Sequence, residues 1–276
     1  MNLKTMIDLH SHFLPGIDDG AKDMDMTLDM LRQAENIGFK ALVATPHINE
    51  YTTPDIILQI TQIFEQVVSE KNSAGINLEL ALSGEIQFDA NLLNWVQYDF
   101  LKIGKKKKYI IFELPIQGLP INIEDIIFQL GLKGVIPVLA HPERNTYIQR
   151  HPERLNKWIE LGCVMQMNAG SLTGNFGSAI KQLSWQMLEK QKIHLVSSDA
   201  HNTGRRSYQL HITAYQQVIN RLDEDYAISL FKTNPQKMWN GENISLPELP
   251  DDVLKIPMHE KFIRRVKSGL KRPITY

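Results

Sequence analysis

Two histidines, His10 and His12, sit two residues apart in the stretch Asp8-Leu-His-Ser-His12, with Asp18 and Asp19 close behind. Residues i and i+2 of an extended segment point the same way, so both imidazoles can reach one site. Further histidines and acids recur downstream: His47 in VATPHINEY, Glu85 in LALSGEIQF, Glu113 in YIIFELP, His141 in PVLAHPERN, and Asp199 with His201 in LVSSDAHN. With Asp19 from the opening loop, these residues supply five imidazoles, four carboxylates and no thiolate. That donor set suits manganese, iron or zinc, whereas magnesium and calcium prefer oxygen throughout. Nine ligands exceed the needs of one ion but fit two or three ions with bridging carboxylates. Such clusters hold ions about 3.5–4 Å apart and generate hydroxide near neutral pH, the usual nucleophile for phosphoester hydrolysis. A phosphate substrate also needs fixed positive charge. Arg144 follows His141 by three residues, and Arg205 and Arg206 follow His201 by four and five. A guanidinium fork matches phosphate oxygens, although a surface arginine paired with Glu143 or Glu153 is the ordinary alternative for Arg144.

The elements that must deliver these groups are legible as short apolar runs alternating with longer helical patterns, the signature of a βα-repeating fold. Strands are predicted at 6–9, 41–45, 78–82, 109–114, 136–140, 164–167 and 194–197. Helices are predicted at 23–37, 54–74, 123–133, 152–161, 178–191, 207–220 and 224–232. In a parallel barrel the strand ends converge on one face, the face that carries chemistry. Taken singly, a histidine or glutamate at a strand end is an ordinary core or solvated residue. Jointly the pattern is harder to dismiss: six of the seven strands end in His, Asp or Glu, types that make up 40 of 276 residues. Nine such groups in one pocket are costly to bury without bound cations.

Composition bounds the rest. At 43% hydrophobic and 22% charged, the chain can bury a full core in one barrel domain over residues 1–240. Residues 241–276 differ: Pro247, Pro250, Pro257 and Pro273, with Lys267, Lys271 and Arg272, read as a loosely packed basic tail. A formal net charge of −1 favours neither nucleic acid nor an anionic membrane as partner. The first residues lack the apolar core of a signal peptide, and no apolar run reaches membrane-spanning length, so a cytoplasmic protein without membrane insertion is expected. The one cysteine, Cys163, excludes an intrachain disulfide and a thiolate-rich metal site, and ELGCVMQMN reads as the entry to a buried strand. The run Lys105–Lys108 reads as a solvated turn.

The ordered set DLHSH, DDG, TPH, GEI, FEL, AHPER and SSDAH resembles the PHP (polymerase and histidinol phosphatase) superfamily. Within it, the chain is similar to the bacterial manganese-dependent protein-tyrosine phosphatases of capsule and exopolysaccharide systems. The likeness runs from about Met6 to about Trp239. It implies a distorted (β/α)7 barrel and a trinuclear centre, usually manganese, held by His10, His12, Asp19, His47, Glu85, Glu113, His141, Asp199 and His201. It implies hydrolysis of phosphotyrosine on a bacterial tyrosine kinase, with Arg144 and Arg206 binding phosphate and Arg205 the competing choice in that loop. A small-molecule phosphatase of the same superfamily, acting on histidinol phosphate, is the alternative, with a polymerase-type nuclease and a non-catalytic binding module further off. The tail beyond Gly241 is not explained by the likeness.

Overall fold

Each of the seven apolar runs forms a strand, and three shorter strands join them in the computed structural model, which describes residues 6–89 and 91–249. In chain order the strands are β1 (Met6–Ser11), β2 (Phe39–Ala44), β3 (His47–Ile48), β4 (Glu79–Leu82) and β5 (Glu85–Gln87). Then come β6 (Lys102–Ile103), β7 (Tyr109–Glu113), β8 (Ile136–Ala140), β9 (Val164–Asn168) and β10 (Leu195–Ser197).

Parallel pairing runs β1-β2-β4 in one sheet and β10-β9-β8-β7-β5-β3 in the other. A bridge between Ser11 and Ala200 joins the end of β1 to the segment after β10. The paths 39–48 and 79–87 are each broken once. Their first halves, β2 and β4, pair with each other, and their second halves, β3 and β5, carry the ring on to β7. The seven-stranded ring is therefore complete at the C-terminal ends of the strands. At the opposite end β4 and β7 are not paired, and β6 runs antiparallel along β7. This is the distortion in an α/β fold that is otherwise a (β/α)7 barrel. Gly84 stands where 79–87 changes partner: a Cβ there would lie 2.6 Å from Leu101 Cδ2 and 2.7 Å from Ile48 Cγ1. Only glycine admits so close an approach.

The barrel interior is packed by Ile7, Leu9, Ala41, Val43, Tyr109, Ile111, Val138, Ala140, Val164 and Leu195. Its lower end is stopped by Met238 and Trp239. The expected helix at 224–232 proves longer and irregular: α-helix over Glu224–Ile228, a π-turn over Ser229–Thr233, then α-helix again over Asn234–Asn240. The following residues continue across the lower end. The Tyr109 hydroxyl donates to the Glu242 carbonyl, Asn234 Nδ2 donates to the Ser245 carbonyl at 2.8 Å, and Leu249 is buried. The remainder of the basic tail, including Lys267, Lys271 and Arg272, lies outside the described residues.

A second apolar layer lies between strands and helices. The helix Met24–Ile37 is capped by Asp23, whose side chain accepts from Met26 N at 2.9 Å. It buries Thr27, Met30, Leu31 and Ala34. Thr27 Oγ1 also donates to the Phe13 carbonyl at 2.7 Å, tying the helix to the loop that follows β1. Cys163 lies in this layer, 1% exposed, and burial holds its thiol well above the ordinary range.

Candidate active site

The C-terminal ends of the strands bring all nine metal-type residues to one place. His10 lies within β1, and His12 just beyond it. Between Asp8 and Ser11 the register with β2 slips by one residue, since Asp8 faces Leu42 while Ser11 faces Ala44. Such a bulge re-aims the side chains that follow it. Ile7 and Leu9 therefore pack inside the barrel while His10 and His12 still converge, their Nε2 atoms 3.2 Å apart.

Glu85 is the hub. Its Oε2 lies 3.2 Å from His10 Nε2, 3.4 Å from His12 Nε2 and 3.2 Å from His47 Nδ1, and its Oε1 lies 2.7 Å from His141 Nε2. Asp19 Oδ1 stands 3.3 Å from His47 Nε2 and 3.2 Å from His201 Nε2. Glu113 Oε1 is 3.6 Å from His47 Nδ1. Three overlapping groups have mutual ligand-atom separations within 4.8 Å: His12, Asp19, His47 and His201; His10, His12 and Glu85; His47, Glu85 and Glu113. His141 and Asp199 stand outside these groups but adjoin them, His141 through Glu85 and Asp199 Oδ1 at 3.5 Å from both His12 and His201.

These residues fit divalent cations on three counts. First, His12 Nδ1 is 2.7 Å from Asp18 Oδ2 and His201 Nδ1 is 3.0 Å from the Asp199 carbonyl, so each ring donates outward and turns an Nε2 lone pair inward. Second, among the described residues buried His201 Nε2 makes no well-formed hydrogen bond, its near neighbour being Asp19 Oδ1 at 3.2 Å. Third, the carboxylates demand positive charge. Burial opposes charge on His12, yet the hydrogen bond and charge of Asp18, and then those of Glu85, push its imidazole up to about 10. Burial likewise opposes charge on His47, which contacts with Asp19 and Glu85 push up to about 11. Glu85 is held well below the carboxylate range, against its burial, by the charges of His10 and His141. Burial, reinforced by the charge of Glu85, pushes Glu113 up to about 7. Cations held by the cluster would supply the charge that protons otherwise provide.

Asp199 splits its two oxygens between two tasks. Oδ1 faces the histidines, while Oδ2 accepts from Arg206 Nη2 at 2.8 Å, from Arg144 Nη1 at 3.2 Å and from Asn168 Nδ2. Arg206 Nη1 also reaches Asp19 Oδ2 at 3.4 Å. The two arginines border a cavity of about 210 Å³ lined by Asp19, His47, Glu85, Glu113, His141 and Asp199, with Leu114, Pro115 and Ile116 on one wall. Arg205 is exposed and lines no part of it, whereas Arg206 turns inward.

Backbone geometry at the site is unusual. His141 (φ 31°) and Asp199 (φ 52°) both occupy the left-handed region, where a non-glycine residue is strained. Asp199 is braced from below by Asp8, which accepts from Ser198 N at 2.9 Å and from the Ser198 hydroxyl, while Ser198 Oγ accepts from Ala200 N at 3.0 Å. Several supporting residues were not singled out from sequence. Asn168 ends β9, the one of the seven predicted strands not followed by His, Asp or Glu, and still reaches Asp199. The Gln166 amide meets His10 Nδ1, and buried Glu143 anchors Asn168 N at 3.0 Å and Ser171 Oγ at 2.7 Å. For Asn168 the barrel topology itself was the available signal, because any strand end on this face approaches the site.

Comparison with known proteins agrees with this geometry. The family model described as capsular polysaccharide synthesis, CpsB/CapC, matches residues 6–240. The tyrosine-protein phosphatase YwqE of Bacillus subtilis is 35% identical over 203 residues, covering 74% of this chain and 80% of that protein. The tyrosine-protein phosphatase CpsB of Streptococcus agalactiae is 26% identical over 246 residues, covering 87% of this chain and all of that one. Among solved structures, one from the work on YwqE of Bacillus subtilis and CpsB of Streptococcus pneumoniae, described as unique metal-dependent tyrosine phosphatases, superposes with a TM-score of 0.75. It shares 29% identity and covers 89% of this chain and 100% of that one. With a matching model that spans the whole barrel, the chain belongs to the CpsB/CapC family of capsular polysaccharide synthesis.

Proposed function

We propose that the chain is a metal-dependent protein-tyrosine phosphatase whose substrate is a tyrosine-phosphorylated protein, with a bacterial tyrosine kinase of exopolysaccharide synthesis as its partner. The relatives named as tyrosine-protein phosphatases support this reading over a histidinol-phosphate phosphatase. The observation that carries it is Asp199, which lies between a cluster built for cations and a pair of arginines built for an anion.

In this reading His10, His12, Asp19, His47, Glu85, Glu113, His141, Asp199 and His201 hold two or three divalent ions; the donor set suits manganese, iron or zinc, and the family resemblance favours manganese. Such ions, when bound, supply a hydroxide near neutral pH and neutralise phosphate charge. Arg144 and Arg206 bind the non-bridging phosphate oxygens and fix the phosphorus over the cluster. Asp18, through His12, and the Asp199 carbonyl, through His201, keep two imidazoles in the tautomer that faces inward. Leu114, Pro115 and Ile116 give an aryl group an apolar wall to lie against. The phenol released has a pKa of about 10, so its departure needs less protonation than an alkoxide's would. A cysteine nucleophile has no place here, since Cys163 is buried and firmly protonated.

Metal analysis of the purified protein, combined with phosphate release from a phosphotyrosine peptide with and without chelator, tests the reading. Loss of turnover on metal removal and recovery on adding manganese are expected. Activity that survives complete metal removal overturns the mechanism, and faster turnover of histidinol phosphate than of the peptide overturns the substrate class. Among the described residues no helix is long and apolar enough to cross a membrane.

A further inference from the structure

Phe176 lies in the loop between the helices Ala169–Thr173 and Ser178–Glu189, in a stretch, Gly174-Asn-Phe-Gly177, that carries no ligand or charge. Its ring centroid is 4.8 Å from Arg144 Cζ and 5.9 Å from Arg206 Cζ. Three successive strand ends thus contribute to one stack: Arg144 after β8, Phe176 after β9 and Arg206 after β10.

We infer that Phe176 is the positioning residue that holds Arg144 and Arg206 together as one phosphate-binding pair. The inference rests on the assignment of those arginines to phosphate.

Both guanidinium groups share one carboxylate oxygen, Asp199 Oδ2, and Arg206 alone also reaches Asp19 Oδ2 at 3.4 Å, so among the described contacts a single anionic atom bridges the two like charges. Something else must oppose their separation. An aromatic face attracts cations through its quadrupole and presents a flat surface on which a guanidinium stacks. A second carboxylate spanning both arginines would hold them more strongly, but it would also repel the incoming phosphate; a neutral ring does not. The ring is itself seated. A Cβ at Gly170 would lie 2.9 Å from Phe176 Cε2, so the ring rests directly on the Gly170 backbone. Gly170 N donates to Asn168 Oδ1 at 2.7 Å, and Asn168 Nδ2 donates to Asp199 Oδ2. One short helix therefore sets both the ring behind the arginines and the amide beside their shared carboxylate.

The test uses the metal-loaded full chain with Phe176→Leu, Phe176→Met and Phe176→Tyr. The readouts are KM and kcat for a phosphotyrosine peptide, the inhibition constant of inorganic phosphate, and metal content. Leu and Met preserve apolar bulk without the aromatic face. Each should weaken phosphate inhibition and raise KM by about tenfold, the loss of two cation–π contacts, with metal content unchanged. Phe176→Tyr should stay close to the parent. In an Arg144→Ala, Arg206→Ala background, Phe176→Leu should add little further. The inference is overturned if Leu or Met matches the parent in phosphate inhibition, or if Phe176→Leu keeps its full effect without the arginines. Should Arg144→Ala and Arg206→Ala themselves leave phosphate inhibition unchanged, the phosphate assignment falls and this inference with it. That result is distinguishable from failure of Phe176 alone.

Discussion

Replacing Asp18 by asparagine separates the two neighbouring aspartates by function. Asp18 Oδ2 lies 2.7 Å from His12 Nδ1 and 3.3 Å from the His47 backbone nitrogen, while Oδ1 accepts from Gly20 N at 2.9 Å. Both oxygens are therefore acceptors, and an asparagine can preserve only one. If its amide nitrogen faces Gly20, two donors meet in a part-buried loop, at a cost of about 1–3 kcal/mol. If it faces His12, the amide donates to Nδ1, the ring proton moves to Nε2, and the lone pair aimed at the cluster is lost. Either outcome weakens the metal centre. Loss of an outer partner to a ligating histidine costs about 10–100-fold in metal affinity, or about 1.4–2.8 kcal/mol. The assay is phosphate release as a function of manganese concentration, with bound metal measured in parallel. The Asp18→Asn curve should shift to higher metal and approach the parental maximum. Asp19→Ala, which removes an atom 3.2–3.3 Å from two imidazoles, should not be rescued at any concentration. A parental metal curve for Asp18→Asn, or rescue of Asp19→Ala but not of Asp18→Asn, refutes the reasoning.

Other consequences can be checked independently. Cys163→Ser should retain turnover and metal content, because the thiol is buried away from the pocket. Arg206→Lys should reduce kcat/KM by about tenfold or more through loss of the planar fork, whereas Arg205→Ala should leave it unchanged. Gly84→Ala should lower unfolding stability by about 1–3 kcal/mol, read from a denaturant midpoint, since the new methyl overlaps Leu101 and Ile48. Burial pushes His194 and His211 down to about 4, so both are neutral in the folded protein and take up protons on unfolding below about pH 6.5. Stability held above that pH is lost as pH falls through 4, each histidine costing about 2 kcal/mol between pH 7 and pH 5. Removing both as His194→Gln and His211→Gln should flatten that part of the stability profile.

The chemistry was legible because it sits at strand ends, and a βα repeat announces those ends through apolar runs of fixed length. His47, Glu85, Glu113 and His141 each follow or close such a run. What escaped the sequence depends on pairing partners. Nothing local in TPHI or SGEI says that β3 and β5 leave one neighbour for another; that follows from how seven strands close a ring. The bulge in β1 is hidden for the same reason, because register is a relation between two strands. Asn168 and Gln166 escaped because amides are not expected as ligands, and Phe176 because an aromatic in a glycine-flanked loop looks like any other turn. The helix over Asn234–Asn240 lies beyond the expected 224–232 because a π-turn over Ser229–Thr233 carries the helical path on, with Pro235 in the first turn of the new segment.

Under the proposed function, the division of Asp199 between histidines and arginines would make metal and phosphate binding thermodynamically reciprocal. A carboxylate whose Oδ1 is drawn to cations gives up electron density at Oδ2, loosening its hold on the guanidinium groups and freeing them for another anion. An anion that takes the arginines in turn returns that density to the metal side. Whatever factor metal loading adds to phosphate affinity, phosphate must add to metal affinity. Product phosphate should therefore slow metal loss, and a depleted protein should bind phosphate poorly even with both arginines intact. An inhibitor that bridges the two halves would gain from both at once, while a chelator and a phosphate mimic applied together would each blunt the other.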